Sequence, residues 1–388
     1  MRTLLKRLGP MELITKLFHR GWTARDVFRS FGLDPPSMSE DDPMMTPVLL
    51  LALTKESRRR LRLPHVSSID DVVKLLQSSK NILVITGAGI STSLGIPDFR
   101  SSDGIYSRLA KYNLSDPQEM FDIDLFTQDP SIFFDFCKEL LPEDRGYSPT
   151  HAFIRLLQDK GKLLTQYTQN IDDIESSAGV DDQHLIQCHG SFKRATCLTC
   201  GRNRPGSDLF PEILAGNVPR CEICLSNLIP RAYPKKKASS WDNDASEEED
   251  MSDPSFAVLK PDITFFGEQL PTAFKDRFLE DRSKVDLTLC IGTSLRVAPV
   301  ANIPEMLDPQ IPQILISRDK LHGGFAFDVE FLDGACDAVC LELAYRAGWS
   351  DELDKLIEAG SVPGRVKAER AGDRLEQVSD HIYTCISA

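Results

Sequence analysis

Asn81-Ile82-Leu83-Val84-Ile85, running into Thr86-Gly87-Ala88-Gly89-Ile90-Ser91, is the stretch on which the fold turns. An aliphatic run without polar alternation reads as a strand buried on both faces, the kind found in parallel sheets. It ends in a glycine-rich turn, where backbone N–H groups unobstructed by Cβ atoms suit a phosphate loop. The third glycine, Gly95, comes too late for a dehydrogenase: the spacing is G-x-G-x5-G rather than G-x-G-x-x-G. Nor does a second strand with a ribose-binding acid follow about 20 residues on. An ordinary dehydrogenase is therefore disfavoured.

The same rhythm continues on either side. Asp70 to Gln77 reads as a helix, and Leu163 to Tyr167, Leu185 to Cys188, Ile263 to Phe266, Leu287 to Ile291 and Gln313 to Ile316 read as strands. Helical segments such as Thr150 to Lys160 lie between several of them. The alternation predicts an α/β fold: a Rossmann-like parallel sheet domain with helices on both faces. In such sheets ligands bind beyond the carboxyl ends of the strands. Five strand ends deliver Gly87-Ala88-Gly89, Thr168-Gln169-Asn170-Ile171-Asp172, His189-Gly190, Gly292-Thr293-Ser294 and Ser317-Arg318-Asp319 to one edge, as a nucleotide crevice requires.

At 388 residues the chain exceeds what one core usually organises, so one large domain with additions is expected. Its net charge of −13 suits a basic partner and argues against direct nucleic-acid binding. Without an apolar run of ~20 residues or a secretory cleavage site, the expectation is an intracellular protein off the membrane. Ten cysteines in such a chain are expected to be reduced. Four of them form two C-x2-C knuckles, Cys197/Cys200 and Cys221/Cys224, with 20 residues between. That spacing reads as a tetrahedral four-thiolate zinc site, and four protein ligands leave no position for substrate, so the ion would be structural. Residues 1–67 read as an N-terminal helical segment and linker, in which the basic run Lys55 to Arg62 is a solvated face, with nuclear import as the lesser reading. A catalytic domain is expected over 68–349, with a zinc-ribbon module at about 191–256 and a C-terminal tail at 350–388 that is polar after Gly360. Residues 235–254, with Lys235-Lys236-Lys237 and Glu247-Glu248-Glu249-Asp250, read as a disordered acidic insertion.

Gly87 to Arg100 reads GAGISTSLGIPDFR, and this resembles the signature of the sirtuins, the silent information regulator family of NAD-dependent protein deacylases. TQNID at 168–172, His189-Gly190, Phe266-Gly267-Glu268 and Gly292-Thr293-Ser294-Leu295 match the family's other blocks in order, across about 280 residues from Asp70 to Trp349. KPDITFFGE and GKLLTQYTQNID look most like the nuclear, silencing-type subclass. The resemblance implies that Gly87, Ala88, Gly89 and Ser91 hold the NAD phosphates and ribose and that Arg100 reaches the diphosphate. Ile96, Pro97, Asp98 and Phe99 would line the nicotinamide pocket; Gln169, Asn170 and Asp172 would position its ribose. Gly292, Thr293 and Ser294 would bind near the adenosine ribose and Cys336 beside the adenine, with Tyr106, Ile171, Ser317 and Arg318 completing the cofactor set. Ser317 stands where many members place asparagine. Thr264, Phe265, Phe266, Gly267, Glu268 and Val297 would receive the substrate, the backbone pairing with an extended peptide. Thr264 is polar where many members carry valine.

The chemistry implied by the resemblance has acyl-lysine oxygen attack the ribose carbon as nicotinamide leaves, after which a base activates a ribose hydroxyl. A histidine suits that at neutral pH, and His189, with Asn170, is the catalytic choice. The expected function is thus an NAD-dependent protein lysine deacetylase with NAD and one structural Zn2+. It would act on acetyl-lysine proteins such as histone tails, beside chromatin-associated proteins, in the nucleus, with the cytoplasm as the alternative compartment. A long-chain deacylase, an ADP-ribosyltransferase and an inactive chromatin scaffold are the competing readings; intact Asn170, Asp172 and His189 argue against the last. Because the 235–254 segment cannot bury enough apolar surface to offset ordering, its deletion is expected to leave core activity intact. Loss of soluble expression on deletion would instead make it part of the fold.

Overall fold

A computed structural model of the chain describes residues 1–99, 104–112, 114–141, 146–227, 254–321, 325–360 and 374–386. Arg100, and the acidic insertion apart from Pro254, lie outside the described residues. The chain divides into two compact units, Met1–Arg62 with His322–Ala326, and Leu63–Leu321 with Phe327–Ala388.

The first unit contains α1 (Arg2–Leu8), α2 (Pro10–Phe18), α3 (Ala24–Ser30) and α4 (Met45–Arg58). Proline opens α2 where no N–H is needed, and a reciprocal Thr23–Asp26 capping box opens α3. Leu5, Leu13, Ile14, Leu17, Val27, Phe28, Met45, Leu49 and Leu53 form its core. The basic run after Lys55 is not simply a solvated face. Glu56, only 2% exposed, takes Arg2 Nε at 3.0 Å and Arg59 Nη1 at 2.7 Å, and buried Arg60 donates to the Ala326 carbonyl at 2.6 Å. A buried carboxylate must be paired, and that need draws Arg2 and Arg59 toward Glu56.

In the second unit, α5 (Ile69–Ser78) starts at a Ser68–Asp71 capping box and buries Ile69, Val72, Val73 and Leu76 along one stripe. The strands are β1 (Ile82–Thr86), β2 (Leu163–Thr168), β3 (Leu185–Gln187), β4 (Gly190–Cys197), β5 (Asn203–Pro205), β6 (Leu259–Ile263), β7 (Leu287–Ile291), β8 (Gln313–Ile316), β9 (Val329–Leu332), β10 (Arg374–Ser379) and β11 (Ile382–Ile386). Eight make one sheet, in the order β10-β11-β9-β8-β7-β1-β2-β3. All its pairings are parallel except the β10–β11 hairpin, so the sheet is mixed, not wholly parallel. Ile82 and Val84 of β1 join Leu289, Ile314 and Phe331 in a core with α5 and the helices Pro149–Asp159 and Cys336–Ala347. Leu83 and Ile85 lie in register with Thr165 and Tyr167, whose side chains meet helix Thr272–Asp281 through Arg277, Asp281, Phe274 and Phe278. Both faces are therefore covered, which is why β1 is apolar at every position up to Thr86.

Two further expectations change. The strand expected at Ile263 to Phe266 belongs to a different sheet: β6 ends at Ile263 and pairs antiparallel with β4, beside β5. An apolar run shows that a strand is buried but not which neighbour buries it. Residues 350–388, read as a tail, supply helix Ser350–Ala359, with Leu353 buried, and the edge hairpin. Tyr383 is 5% exposed, its ring lies 5.4 Å from that of Phe331, and its hydroxyl accepts the Ile69 N–H at 3.0 Å. Tyr383→Ala is expected to lower stability by about 3 kcal/mol, measured by urea unfolding. An unchanged midpoint would mean that the hairpin adds nothing to the core.

Candidate active site

β1 leads on to β2 on one side while its other neighbour, β7, leads on to β8 on the opposite side, so a crevice opens at their carboxyl ends. There the loops after β1 and β7 meet backbone to backbone. Gly89 N–H donates to the Gly292 carbonyl at 2.9 Å, and a Cβ on Gly89 would lie 2.8 Å from Gly292 Cα. Gly292 has φ +61°, and a Cβ there would lie 2.7 Å from Ile90 N. These glycines are required by each other before any ligand arrives.

The loop after β2 joins them. Ser91, fully buried, donates its hydroxyl to Asp172 Oδ2 at 2.7 Å and receives Asn170 Nδ2 at 3.4 Å. Asn170 N–H is held by the Thr168 hydroxyl at 3.1 Å, and the Thr293 hydroxyl donates to Gln169 Oε1. Gly87, Ala88, Gly89, Ser91, Gln169, Asn170, Asp172, Gly292 and Thr293 are thus brought to one crest. Ile171 packs instead against an aromatic cluster that includes Phe121, Phe126, Phe133 and Phe265, the core of a small lobe built on the three-stranded sheet. Burial raises the Asp172 carboxyl above the usual range, and the Ser91 hydroxyl opposes it.

The sequence reading missed Glu175, on the short helix Ile174–Ser177. It is 1% exposed, and neither carboxylate oxygen has a full hydrogen bond among the described residues. Burial, and then the charge of Asp172, push it up to about 8, with the Thr168 hydroxyl pulling weakly the other way. An acid three residues beyond Asp172 was the available signal, but first-turn acids commonly serve the helix dipole in solvent.

His189 follows β3. Its Nδ1 lies 2.9 Å from the Gln169 carbonyl, which can only accept, so Nδ1 carries the proton and Nε2 the lone pair. Nε2 is buried without a partner among the described residues. Burial holds the imidazole below its ordinary value, opposed by the Gln169 carbonyl. The result is a neutral base with its free nitrogen shielded from water.

Gly95, at φ +77°, turns the chain into the half-buried stretch Ile96-Pro97-Asp98-Phe99. The Asp98 and Phe99 carbonyls accept the Ile105 and Tyr106 N–H groups, and the Phe99 ring lies 5.9 Å from that of Tyr106. Exposed Arg318 reaches Asp98 at 3.4 Å across the crevice. Ser317 is buried at the end of β8, Ser294 is exposed, and Val297 is half-buried. Cys336 belongs to the sheet core, with its thiol 3.9 Å from the Ile316 carbonyl and pushed up to about 12 by burial.

The loop Thr264–Glu268 differs from the open peptide edge expected of it. Thr264 N–H donates to the His189 carbonyl at 2.8 Å, Phe266 N–H to the Phe121 carbonyl at 2.7 Å and Phe265 N–H to Glu268 Oε2 at 2.7 Å. The Phe265 side chain is core, against Phe121, Phe126 and Phe133, while Phe266 is 37% exposed. Gly267 N–H has no partner among the described residues, so an incoming strand would find its donor there.

The two knuckles converge. Cys197 and Cys224 sulfurs lie 3.7 Å apart, Cys200 and Cys221 sulfurs 3.9 Å, and all four fall within 4.8 Å of one another. A tetrahedron with Zn–S bonds of about 2.3 Å has edges of about 3.8 Å, whereas a disulfide needs about 2.05 Å. The donor set fits zinc.

An α/β crevice with a shielded neutral histidine, a hydrogen-bonded Ser-Asp-Asn group and a four-cysteine lobe defines a nucleotide-dependent enzyme class. The model of the Sir2 family matches residues 87–299, over half the chain. Over 363 residues the chain is 45% identical to "NAD-dependent histone deacetylase sir2" of Schizosaccharomyces pombe, covering 91% of this chain and 76% of that protein. It is 46% identical over 305 residues to "NAD-dependent protein deacetylase HST1" of Saccharomyces cerevisiae, covering 77% and 59%. To "NAD-dependent histone deacetylase sirtuin-1" of Drosophila melanogaster it is 42% identical over 306 residues, covering 78% and 36%. The chain belongs to the Sir2 family, and its α/β unit is an NAD-dependent deacetylase of the sirtuin type. It spans three-quarters of the fission-yeast relative but less than two-thirds of the other two.

Between the ordinary glutamate value of 4.5 and about 8, folded Glu175 keeps a proton that the unfolded chain has released. Its contribution to stability is complete below 4.5 and is lost as pH rises through 8. Glu175→Gln abolishes this dependence, so its melting temperature should rise relative to wild type between about pH 5 and about pH 8.5, by an amount reflecting a few kcal/mol at about 1.4 kcal/mol per unit. A difference that stays constant across that range would show Glu175 titrating normally.

Proposed function

We propose that this chain removes acetyl groups from lysines in histone tails and works in the nucleus. The net charge of −13 suits a basic tail, and relatives bearing the name histone deacetylase match most of the chain. One observation carries the catalytic reading: His189, its tautomer set by the Gln169 carbonyl and its Nε2 desolvated and unpartnered, adjoins the loop that holds Asn170 and Asp172.

The crest fits a dinucleotide. Gly87, Ala88, Gly89 and Ser91 would hold the phosphates and ribose, with Gly292, Thr293, Ser294, Ser317 and Cys336 toward the adenosine. Ile96, Pro97, Asp98 and Phe99 would surround the nicotinamide. When bound, NAD supplies an electrophilic ribose carbon and a leaving nicotinamide. Asn170 and Asp172 orient the sugar, Ser91 tying the two together. His189 Nε2 accepts a proton from a ribose hydroxyl, and the Gln169 carbonyl stabilises the imidazolium through Nδ1. The aromatic lobe excludes water around the reacting groups.

His189→Ala is expected to lower the deacetylation rate by about 10²–10⁴-fold in a folded protein. Since the histidine is held below its ordinary 6.5, the acid limb of wild-type kcat/KM should lie below that pH and be absent from the variant. Retention of more than half the wild-type rate would remove His189 from the mechanism.

The four cysteines would bind one Zn2+ that closes the ribbon and takes no part in bond-making. Four thiolates complete the tetrahedron, and binding is coupled to folding. Cys221→Ser should lose metal, cooperative unfolding and activity together, followed by metal analysis and thermal melts. A zinc-free variant with unchanged melting would mean that the cysteines are merely packed.

A further inference from the structure

Lys260, on β6, is 6% exposed, which is rare for an ammonium group. Its Nζ donates to the Ile263 carbonyl at 2.6 Å and to Glu268 Oε2 at 2.9 Å, and stands 4.2 Å from the centroid of the Phe265 ring. The same Glu268 oxygen accepts the Phe265 N–H at 2.7 Å. One ion pair thus spans the loop from Ile263 to Glu268, and its carboxylate also secures an amide in the middle. Next to it, the Thr264 N–H holds the carbonyl of His189 at 2.8 Å, and Phe266 is bonded on both sides, to the Phe121 carbonyl and the Ile123 N–H.

Stability alone is a poor reason for such a pair. Desolvating two charges roughly cancels their attraction, and an apolar pair of similar volume often serves as well. An apolar pair could not satisfy the Phe265 amide, however, nor hold the loop in one bent shape. The exposed products of that shape are the Phe266 side chain and the unpartnered Gly267 N–H, the features an extended peptide would meet.

We propose that Lys260 and Glu268 are positioning residues for the acyl-lysine substrate: their ion pair fixes the loop Thr264–Glu268 in its peptide-receiving form, and the Thr264–His189 hydrogen bond keeps that seat in register with the base. This rests on the reading of the loop as the peptide seat. It also reassigns Glu268, whose carboxylate turns toward Lys260 and does not serve as a substrate contact.

The loop is separate from the Gly89–Gly292 crest, so the two substrates should respond differently. Lys260→Met is expected to raise the KM for an acetyl-lysine histone peptide about tenfold or more, with the KM for NAD within about twofold of wild type. Glu268→Gln, which keeps an acceptor for the Phe265 N–H and guards against misfolding of the first variant, should move the peptide KM the same way by less. Lys260→Arg should restore it. Peptide KM values within twofold of wild type in folded Lys260→Met and Glu268→Gln would overturn the proposal. So would peptide and NAD KM values rising together as the melting temperature falls, which is what a merely structural pair would give. A wild-type protein whose nicotinamide release from NAD is not raised by the acetyl peptide would overturn the peptide reading along with it, and is seen before any variant is made.

Discussion

Two parallel strands can bring the main chains of their following loops this close only where no Cβ stands between them. At the crest of this sheet the Gly89 N–H bonds to the Gly292 carbonyl, and the space where either Cβ would stand is filled by the other loop's main chain. A methyl group at Gly292 would meet both Ile90 and Gly89 and would occupy a left-handed conformation. From this contact the remainder of the crevice follows. The first loop turns so that Ser91 is buried, Ser91 takes Asp172, and Thr293 takes Gln169. Three strand ends become one surface because two residues lack side chains.

The proposed base, His189, is set by the same economy. Gln169 uses its side chain on Thr293 and its carbonyl on His189 Nδ1, so one residue connects the nucleotide crest to the tautomer of the histidine. Burial then keeps the imidazole neutral, and it raises the carboxyls of Asp172 and Glu175 in the adjoining loop.

The second lobe is held differently. Its core is aromatic, with Phe121, Phe126, Phe133 and Phe265 packed largely edge to face, and the buried cysteines join the same cluster. A three-stranded sheet with short strands has little apolar surface of its own, and the residues between Ile105 and Leu141 supply what it lacks. The loop Thr264–Glu268 leaves this lobe at Ile263 and is tied to the His189 backbone through Thr264, so the lobe and the histidine are mechanically joined.

Much of this was legible in the sequence, because it depends on local spacing. Apolar runs ending in glycine or small polar residues marked β1, β2, β3, β7 and β8, and the order of strand-end residues marked the crevice. Paired C-x2-C spacing marked the cysteine cluster, since two knuckles leave few ways to arrange four sulfurs. What escaped depends on partners distant along the chain. That Ile263 closes a strand of the small sheet was decided by β4, and that 374–386 adds a hairpin to the large sheet was decided by β9 and Ile69. Neither Glu175 nor Lys260 stood out in the sequence, because only the fold encloses them. A residue's type is written in the chain, but its dielectric surroundings are not, and burial is what raises the carboxyl of one of these and pairs the ammonium of the other with Glu268.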